Sequence, residues 1–454
     1  MALFKSLRQK LGPENVVSEA VVRDIRFPTS LEAHGSDAVH TDPDYSAAYV
    51  ELRVSGLEAV GHGHTFTLGR GTEVVVSAVN ALLPLVVGRP LLGILTDFAG
   101  FWRGLTNESQ LRWLGPEKGV THLALSAIIN SLWDVWGKIE QKPVWKLLAD
   151  MTPEETVSLI DFRYISDAVS KEEALVILRE KFPTRGEREE RARREGYPLY
   201  TTSVGWLGYS DDKIRELCSR ALGEGITQFK MKVGVNVEDD ARRAQVIRDQ
   251  IGWERSLMMD ANQRWDTDEA LAHMTRLAKF KPVWIEEPTS PDDILAHAKI
   301  RQALRKFGIG VATGEHAHNR VMFKQFLQAE AMDFCQIDAC RLGGVNELVA
   351  VVIMAAKFGV PVCPHAGGVG LCEYVQHLAF FDFICVSGTK DGRVVEFVDH
   401  LHEHFVEPVT VKGGCYWLPG RPGYSGEMLP QSLDEHEYPH GAVWKTILES
   451  KPSS

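Results

Sequence analysis

From about residue 197 onward, short apolar runs alternate with longer amphipathic stretches at a steady beat. LYTTSVGWLGY, TQFKMKVG, SLMMDAN, VWIEEP, IGVATGE, FCQIDAC, VPVCPHA and FICVSG read as strands, and NELVAVVIMAAKFG is one of the helical segments between them. Repeated strand-helix units with right-handed crossovers favour a parallel barrel over a sandwich. The first hundred or so residues lie outside this beat and look α+β: AAYVELRVSG is a strand, and GTEVVVSAVNALLPLVVG opens a segment able to form helix. Residues 122 to 151 repeat apolar positions at helical spacing as far as Pro143, which predicts a long helix leading into the barrel. VSLIDFRYI is then expected as the first barrel strand. The charged stretch EKFPTRGEREERARREGYP, around residues 180 to 197, is expected as solvated helix or loop.

Three of the apolar runs end on an acid: Asp260 in LMMDANQRWD, Glu286 in VWIEEPTSPDD and Glu315 in GIGVATGEHAHN. Their separations, 286 − 260 = 26 and 315 − 286 = 29, each match one strand plus one helix of a barrel of roughly 250 residues and eight units. A barrel gathers the C-terminal ends of its strands around one mouth, so the spacing turns a list into one site. One such acid alone is ordinarily a surface ion pair or a helix cap. Three converging carboxylates repel one another and resist desolvation, and a hard divalent cation with oxygen ligands removes both problems. With no Cys or His in the triplet, magnesium suits it better than zinc.

The same beat extends to lysines and a histidine. Lys230 and Lys232 flank Met231, so a strand turns both to one face. Beside a dication and a second ammonium, Lys232 is expected to lose its proton more readily than in water and to act as a base. Asp338 and His365 are 365 − 338 = 27 residues apart, one step of the barrel. A carboxylate on one imidazole nitrogen orients the ring and favours the imidazolium, leaving the other nitrogen to deliver a proton. The glycines of PHAGG allow close backbone approach around a ligand.

Composition narrows the class. With 44% hydrophobic and 24% charged residues, the 454-residue chain can bury a large core of more than one domain. A net charge of −11 argues against broad attraction to nucleic acid, while lysines and a dication reverse the local field for a small anion. Seven cysteines form no CxxC pair, which points to reduced thiols and a cytoplasmic setting. The basic N-terminal MALFKSLRQKLGPENVV lacks the apolar region of a secretory signal and leaves a mitochondrial address as the alternative. No 18-residue apolar stretch predicts a membrane span.

KMK with Lys230 and Lys232, DAN with Asp260 and Asn262, IEEP with Glu286, TGE with Glu315, QID with Asp338 and PHAGG with His365 resemble, in this order, the mandelate-racemase-like branch of the enolase superfamily. HTDPDYSAAYV, LRWLGPEKG, WIEEPTSPDDI, CPHAGGVGLCE and EFVDHLHEH are similar to the L-fuconate dehydratases within that branch. The resemblance implies an α/β fold: a modified (β/α)8 TIM-type barrel over residues 151–400, an α+β N-terminal capping domain with its linking helix over 1–150, and a segment, 401–454, returning to the cap. It implies Mg²⁺ on Asp260, Glu286 and Glu315, with Glu287 pointing elsewhere. Lys232 would take the proton α to the substrate carboxylate, and Lys230 would bind substrate and stabilise the enediolate. His365, held by Asp338, would protonate the departing 3-hydroxyl. Gly35, Ser36, Asp37, Tyr45, Asn262 and Glu396 would contact the sugar. The implied reaction converts L-fuconate to 2-keto-3-deoxy-L-fuconate and water. A racemase or epimerase of a hydroxy acid, and a catalytically retired binding protein, are the alternatives. The expected partner is a small sugar acid, an aldonate, with no nucleic acid and no membrane; a homo-oligomer is compatible.

Overall fold

The computed structural model describes residues 2–450. Its N-terminal part is built on an antiparallel meander of Val17–Arg26, Ser46–Val54 and Gly61–Thr67. One face of the meander packs on the helix Gly119–Glu140. That approach is close enough to require glycine: a Cβ on Gly61 would lie 2.4 Å from the Ser131 carbonyl oxygen, and one on Gly63 would lie 2.3 Å from the Ser131 nitrogen. The helix is apolar nearly all round, as a buried helix must be, and it ends at Gln141 in the left-handed region, just before Pro143.

The barrel runs through the parallel strands Tyr197–Thr201, Gln228–Lys232, Ser256–Asp260, Trp284–Glu286, Gly310–Thr313 and Phe334–Cys335. Residues 361–365 make the next stave, for Cys363 N and His365 N donate to Cys335 O and Ile337 O, while Pro364 O accepts from Glu396 N. Val395–Phe397 then pairs in parallel with Tyr197–Thr201 and completes the ring. The intervening helices are Asp211–Gly223, Val237–Ile251, Thr267–Leu277, Ile294–Leu304, Arg320–Gln328, Val345–Lys357 and Leu371–Phe381.

Two expected strands are something else. VSLIDFRYI begins as the last two residues of a helix, Pro153–Ser158, whose capping box joins Thr152 and Glu155, and it continues as turns. The ring therefore begins at Tyr197 and not in the 150s. FICVSG extends the helix Leu371–Phe381 as a π-helical turn, Asp382–Ser387, held by Arg188 on the Ile384 carbonyl and by Arg393 on Asp382. An apolar run without alternation does not tell a buried strand from a packed turn. The charged stretch is the mostly exposed helix Arg185–Glu195, braced by Arg191–Glu195 and Glu189–Arg193 pairs one turn apart.

The C-terminal segment first adds Cys415–Tyr416 against Tyr197 and Pro198. It then returns to the meander, where Met428 and Leu433 pack with Ile25, Phe27 and Tyr49. Among the described residues no helix is long and apolar enough to cross a membrane.

Candidate active site

Strand register places the predicted residues side by side. Lys232 pairs with Asp260, Asp260 with Glu286, and Glu286 with Ala312, so three functional side chains stand level at the ends of neighbouring staves. Glu315 follows two residues past the next stave, across Gly314. That glycine has φ +143° and sits where a Cβ would lie 2.4 Å from the Gln336 carbonyl oxygen. One oxygen from each of Asp260, Glu286 and Glu315 falls within 4.8 Å of the others, and all three residues are buried.

The chain's own cations crowd these acids. Lys232 Nζ lies 2.6 Å from Asp260 Oδ2. Lys230, fully buried one inward position deeper, reaches Glu286 at 2.6 Å, Glu396 at 2.9 Å and Asp260 at 3.4 Å. His365 Nδ1 is 2.7 Å from Asp338 Oδ2, and its Nε2 is 3.4 Å from Glu315 and 3.7 Å from Glu396. Asp338 Oδ1 accepts the amides of Cys340 and Arg341, both at 2.7 Å, which fixes the carboxylate that orients the ring. Glu396 accepts the Ala366 and Gly367 amides and the Thr202 hydroxyl.

Proton affinities follow from this packing. Burial is the strongest influence on Lys232 and pulls it down, but Asp260, Asp37 and Glu315 together outweigh burial and Lys230 and raise the ammonium above its ordinary value. The expectation of an easily deprotonated lysine is thus reversed for the protein groups alone, because an anion at contact distance counts for more than the neighbouring Lys230. Burial likewise opposes charge on His365, yet Glu315, Glu396 and Asp338 lift it to about 10. Glu396 is resisted by burial and brought down to about 2 by Lys230 and His365. Glu286 is pushed well up, by burial and then by the like charge of Asp260.

The donor set fits a hard cation. Glu315 Oε2 is buried without a hydrogen-bond partner, Glu286 bears the repulsion of Asp260, and the three ligands offer oxygen only. A second trio, Glu287, Glu315 and His316, also comes together. There the imidazole is already bonded: His316 Nδ1 lies 3.0 Å from Glu287 Oε1, and Gln263 donates to Glu287 Oε2 at 2.8 Å.

A cavity of about 310 Å³ opens between cap and barrel and is lined by Lys232, Asn262, Glu315, Asp338 and His365. From the cap, Gly35, Asp37 and Tyr45 reach the same cavity. Gly35 is required by the close ring of Tyr45, since a Cβ there would lie 2.5 Å from Tyr45 atoms at φ +79°. Ser36 lies off the cavity wall and ties the loops together, its carbonyl accepting from Leu207 N at 3.1 Å. Lys230 and Glu396 sit behind the wall, not on it.

Sequence reasoning passed over His40, Trp206, Arg341 and His316, which also line the cavity. Their one signal was adjacency, as in GEHAHN, where His316 follows Glu315. Backbone strain collects here too: Asn262, Gln263 and Glu287 have φ of 43°, 65° and 40°.

Two family profiles cover most of the chain, the mandelate racemase/muconate lactonizing enzyme N-terminal domain over residues 23–149 and the enolase C-terminal domain-like region over 213–432. Human mitochondrial enolase superfamily member 1 is 59% identical over 436 residues, spanning 96% of this chain and 98% of the relative. Its crystal structure superposes with a TM-score of 0.95 over 96% of this chain and 99% of that one. L-galactonate dehydratase of Hypocrea jecorina is 53% identical over 95% of this chain and 96% of its own length. A racemase from Streptomyces coelicolor, solved with bound magnesium, shares the fold at 24% identity, with a TM-score of 0.73 over 93% of this chain and 100% of its own. Matched in both its parts and along nearly its whole length, the chain belongs to the mandelate racemase/muconate lactonizing enzyme family of the enolase superfamily.

Proposed function

We propose that the protein is a magnesium-dependent sugar-acid dehydratase acting on a six-carbon aldonate of the L-galacto configuration. The observation that carries this reading is that Lys232, bonded to Asp260, and His365, bonded to Asp338, line one cavity together with Glu315. The relative named L-galactonate dehydratase supports the substrate class. L-Fuconate is the 6-deoxy form of L-galactonate, so the two share every stereocentre and differ at one terminal hydroxyl. L-Fuconate remains the leading candidate and L-galactonate its direct competitor.

Asp260, Glu286 and Glu315 would hold magnesium. Bound there, the ion would stabilise negative charge on the substrate carboxylate and weaken the pull of Asp260 that keeps Lys232 protonated. Neutral Lys232 takes the proton from C2, and the electrons of that C–H bond form an enediolate. As the C3–O bond breaks, His365 gives its Nε2 proton to the leaving hydroxyl, which departs as water. The resulting enol tautomerises to a 2-keto-3-deoxy acid. Lys230, fixed between Glu286 and Glu396, acts from behind the wall by compensating their charge. All seven cysteines are free, which supports a reducing compartment, and we assign the cytosol with the mitochondrial matrix as the alternative.

The test is to incubate magnesium-loaded protein with single sugar acids and follow keto-acid formation. Dehydration of L-fuconate or L-galactonate is expected. An epimerised acid without dehydration would replace this reading with a racemase, and a much higher kcat/KM for an acid of another configuration would keep the chemistry and discard the substrate.

A further inference from the structure

Two histidines that the proposed chemistry does not use face each other across the cavity. His40 comes from the cap and His316 from the barrel, their ring planes 3° apart and their centroids 6.4 Å apart. Both line the cavity that holds Lys232 and His365. Each is tethered through Nδ1 to a buried carboxylate, His40 to Asp37 at 2.9 Å and His316 to Glu287 at 3.0 Å. For each, Nε2 has no hydrogen bond or ion pair among the described residues.

The tethers are built features. Asp37 Oδ1 accepts the amides of Val39 and His40, both at 2.7 Å, and Oδ2 takes the His40 ring, so the carboxylate fixes an imidazole beside it at the cavity. Asp338 orients His365 in the same way. On the barrel side, Glu287 takes its position at φ 40°, outside the usual range for an L-residue, and Gln263 holds its second oxygen. A ring fixed at one nitrogen offers the other as a hydrogen-bonding group of set direction, and a sugar hydroxyl can both donate to and accept from such a group.

We propose that His40 and His316 form a clamp for the distal hydroxyls of the bound acid and thereby set its length and configuration; this rests on the sugar-acid reading above. Lys232 and His365 work at C2 and C3, which leaves the hydroxyls at C4 to C6 without an assigned partner of this kind. A site built to hydrogen-bond a hydroxyl rejects the analogue that lacks it far better than an apolar pocket rejects an added group.

Binding is measured by calorimetry in the magnesium-loaded Lys232→Ala background, where turnover is blocked, with L-galactonate and L-fuconate as probes. His40→Asn and His316→Asn keep a nitrogen near the Nδ1 position and lose the far one; His40→Gln and His316→Gln keep a donor near Nε2. Each Asn variant should weaken L-galactonate about tenfold, the magnitude of one hydrogen bond, and each Gln variant should recover most of that loss. In the His40 variants affinity for magnesium alone should stay within about twofold, as expected of a group that touches the acid and neither the ion nor its ligands. Rescue by Asn instead of Gln, an equal fall in magnesium and acid affinity, or no change in acid affinity would each overturn the clamp. If the parent background binds both acids and the Asn variants bind them as well, the clamp alone fails. If the parent binds neither acid, the sugar-acid reading fails with it.

Discussion

Asp338→Asn tests the acid half of the chemistry with little change of shape. In the native protein Oδ1 faces two backbone N–H groups, from Cys340 and Arg341, and Oδ2 faces His365 Nδ1 at 2.7 Å. An asparagine must leave its oxygen with the two backbone donors, so its NH₂ turns towards Nδ1. That nitrogen can accept only when deprotonated, and the substitution therefore pins a neutral ring with its proton on Nε2. His365 stands at about 10 because Glu315, Glu396 and Asp338 together overcome burial. Removing a charge-assisted hydrogen bond of about 1.5–3 kcal/mol lowers its proton affinity by about one to two units. A group that must be protonated to act is competent below its pKa and loses activity as the pH rises through it. The alkaline limb of the dehydration profile should accordingly move to lower pH by that amount, and kcat should fall by about 100-fold or more. A cation on Glu315 would offset the largest of the charges that raise His365, and comparing wild type with variant, both loaded, isolates Asp338. The assay is keto-acid formation across about pH 6 to 10, beside solvent deuterium exchange at C2, which Lys232 performs without Asp338. Dehydration within about threefold of wild type, or an unmoved alkaline limb, would refute the reasoning.

Chelation should abolish turnover and lower the melting temperature, with magnesium at a hundred times its Kd restoring about 2.7 kcal/mol of stability; full activity after exhaustive metal removal would sink the metal assignment. Lys232→Ala should reduce C2 proton exchange by about 10²–10⁴, and exchange at the wild-type rate would remove the lysine from the base role. Arg320→Met removes the guanidinium that lies 2.6, 3.5 and 3.3 Å from the buried acids Glu117, Asp161 and Glu347, which keep Arg163, Arg103 and His122 as their other partners. Denaturant unfolding should show a loss of about 1.5–3 kcal/mol, and a loss under about 0.5 kcal/mol would contradict the importance of that cluster.

The three clustered acids were legible because barrel geometry converts a spacing near 27 residues into adjacency, and the register of Lys232, Asp260 and Glu286 bears out the conversion. The linking helix was legible for a similar reason, since its apolar pattern runs until Pro143. The ends of the ring were harder. The stave carrying Glu396 is only Val395–Phe397, too short for any period to register, while FICVSG offered a longer apolar run that belongs to a helix end. His40 and His316 were illegible because their tethers arise from turn geometry at Asp37 and positive φ at Glu287, neither of which leaves a pattern in apolar spacing. The protonation of Lys232 among the protein's own groups was illegible for a third reason. Its sign depends on whether Asp260 or Lys230 lies closer, and contact at 2.6 Å decides it.

That last point joins stability to function. Folding buries Asp260, Glu286, Glu315 and Glu396 together, an arrangement that would be strongly unfavourable without compensation. Lys230 supplies part of it at Glu286 and Glu396, and His365 supplies part at Glu315 and Glu396. Yet Glu286 still has its proton affinity raised and Glu315 Oε2 still accepts no hydrogen bond, so the protein's own cations stop short of neutralising the cluster. The residual negative field holds Lys232 protonated, the wrong state for a base. Further positive charge at the carboxylates would correct both faults at once, relieving the repulsion and releasing the lysine proton. The groups that make this region costly to fold are the ones that, under the proposed function, would make its reactivity conditional on a bound cation.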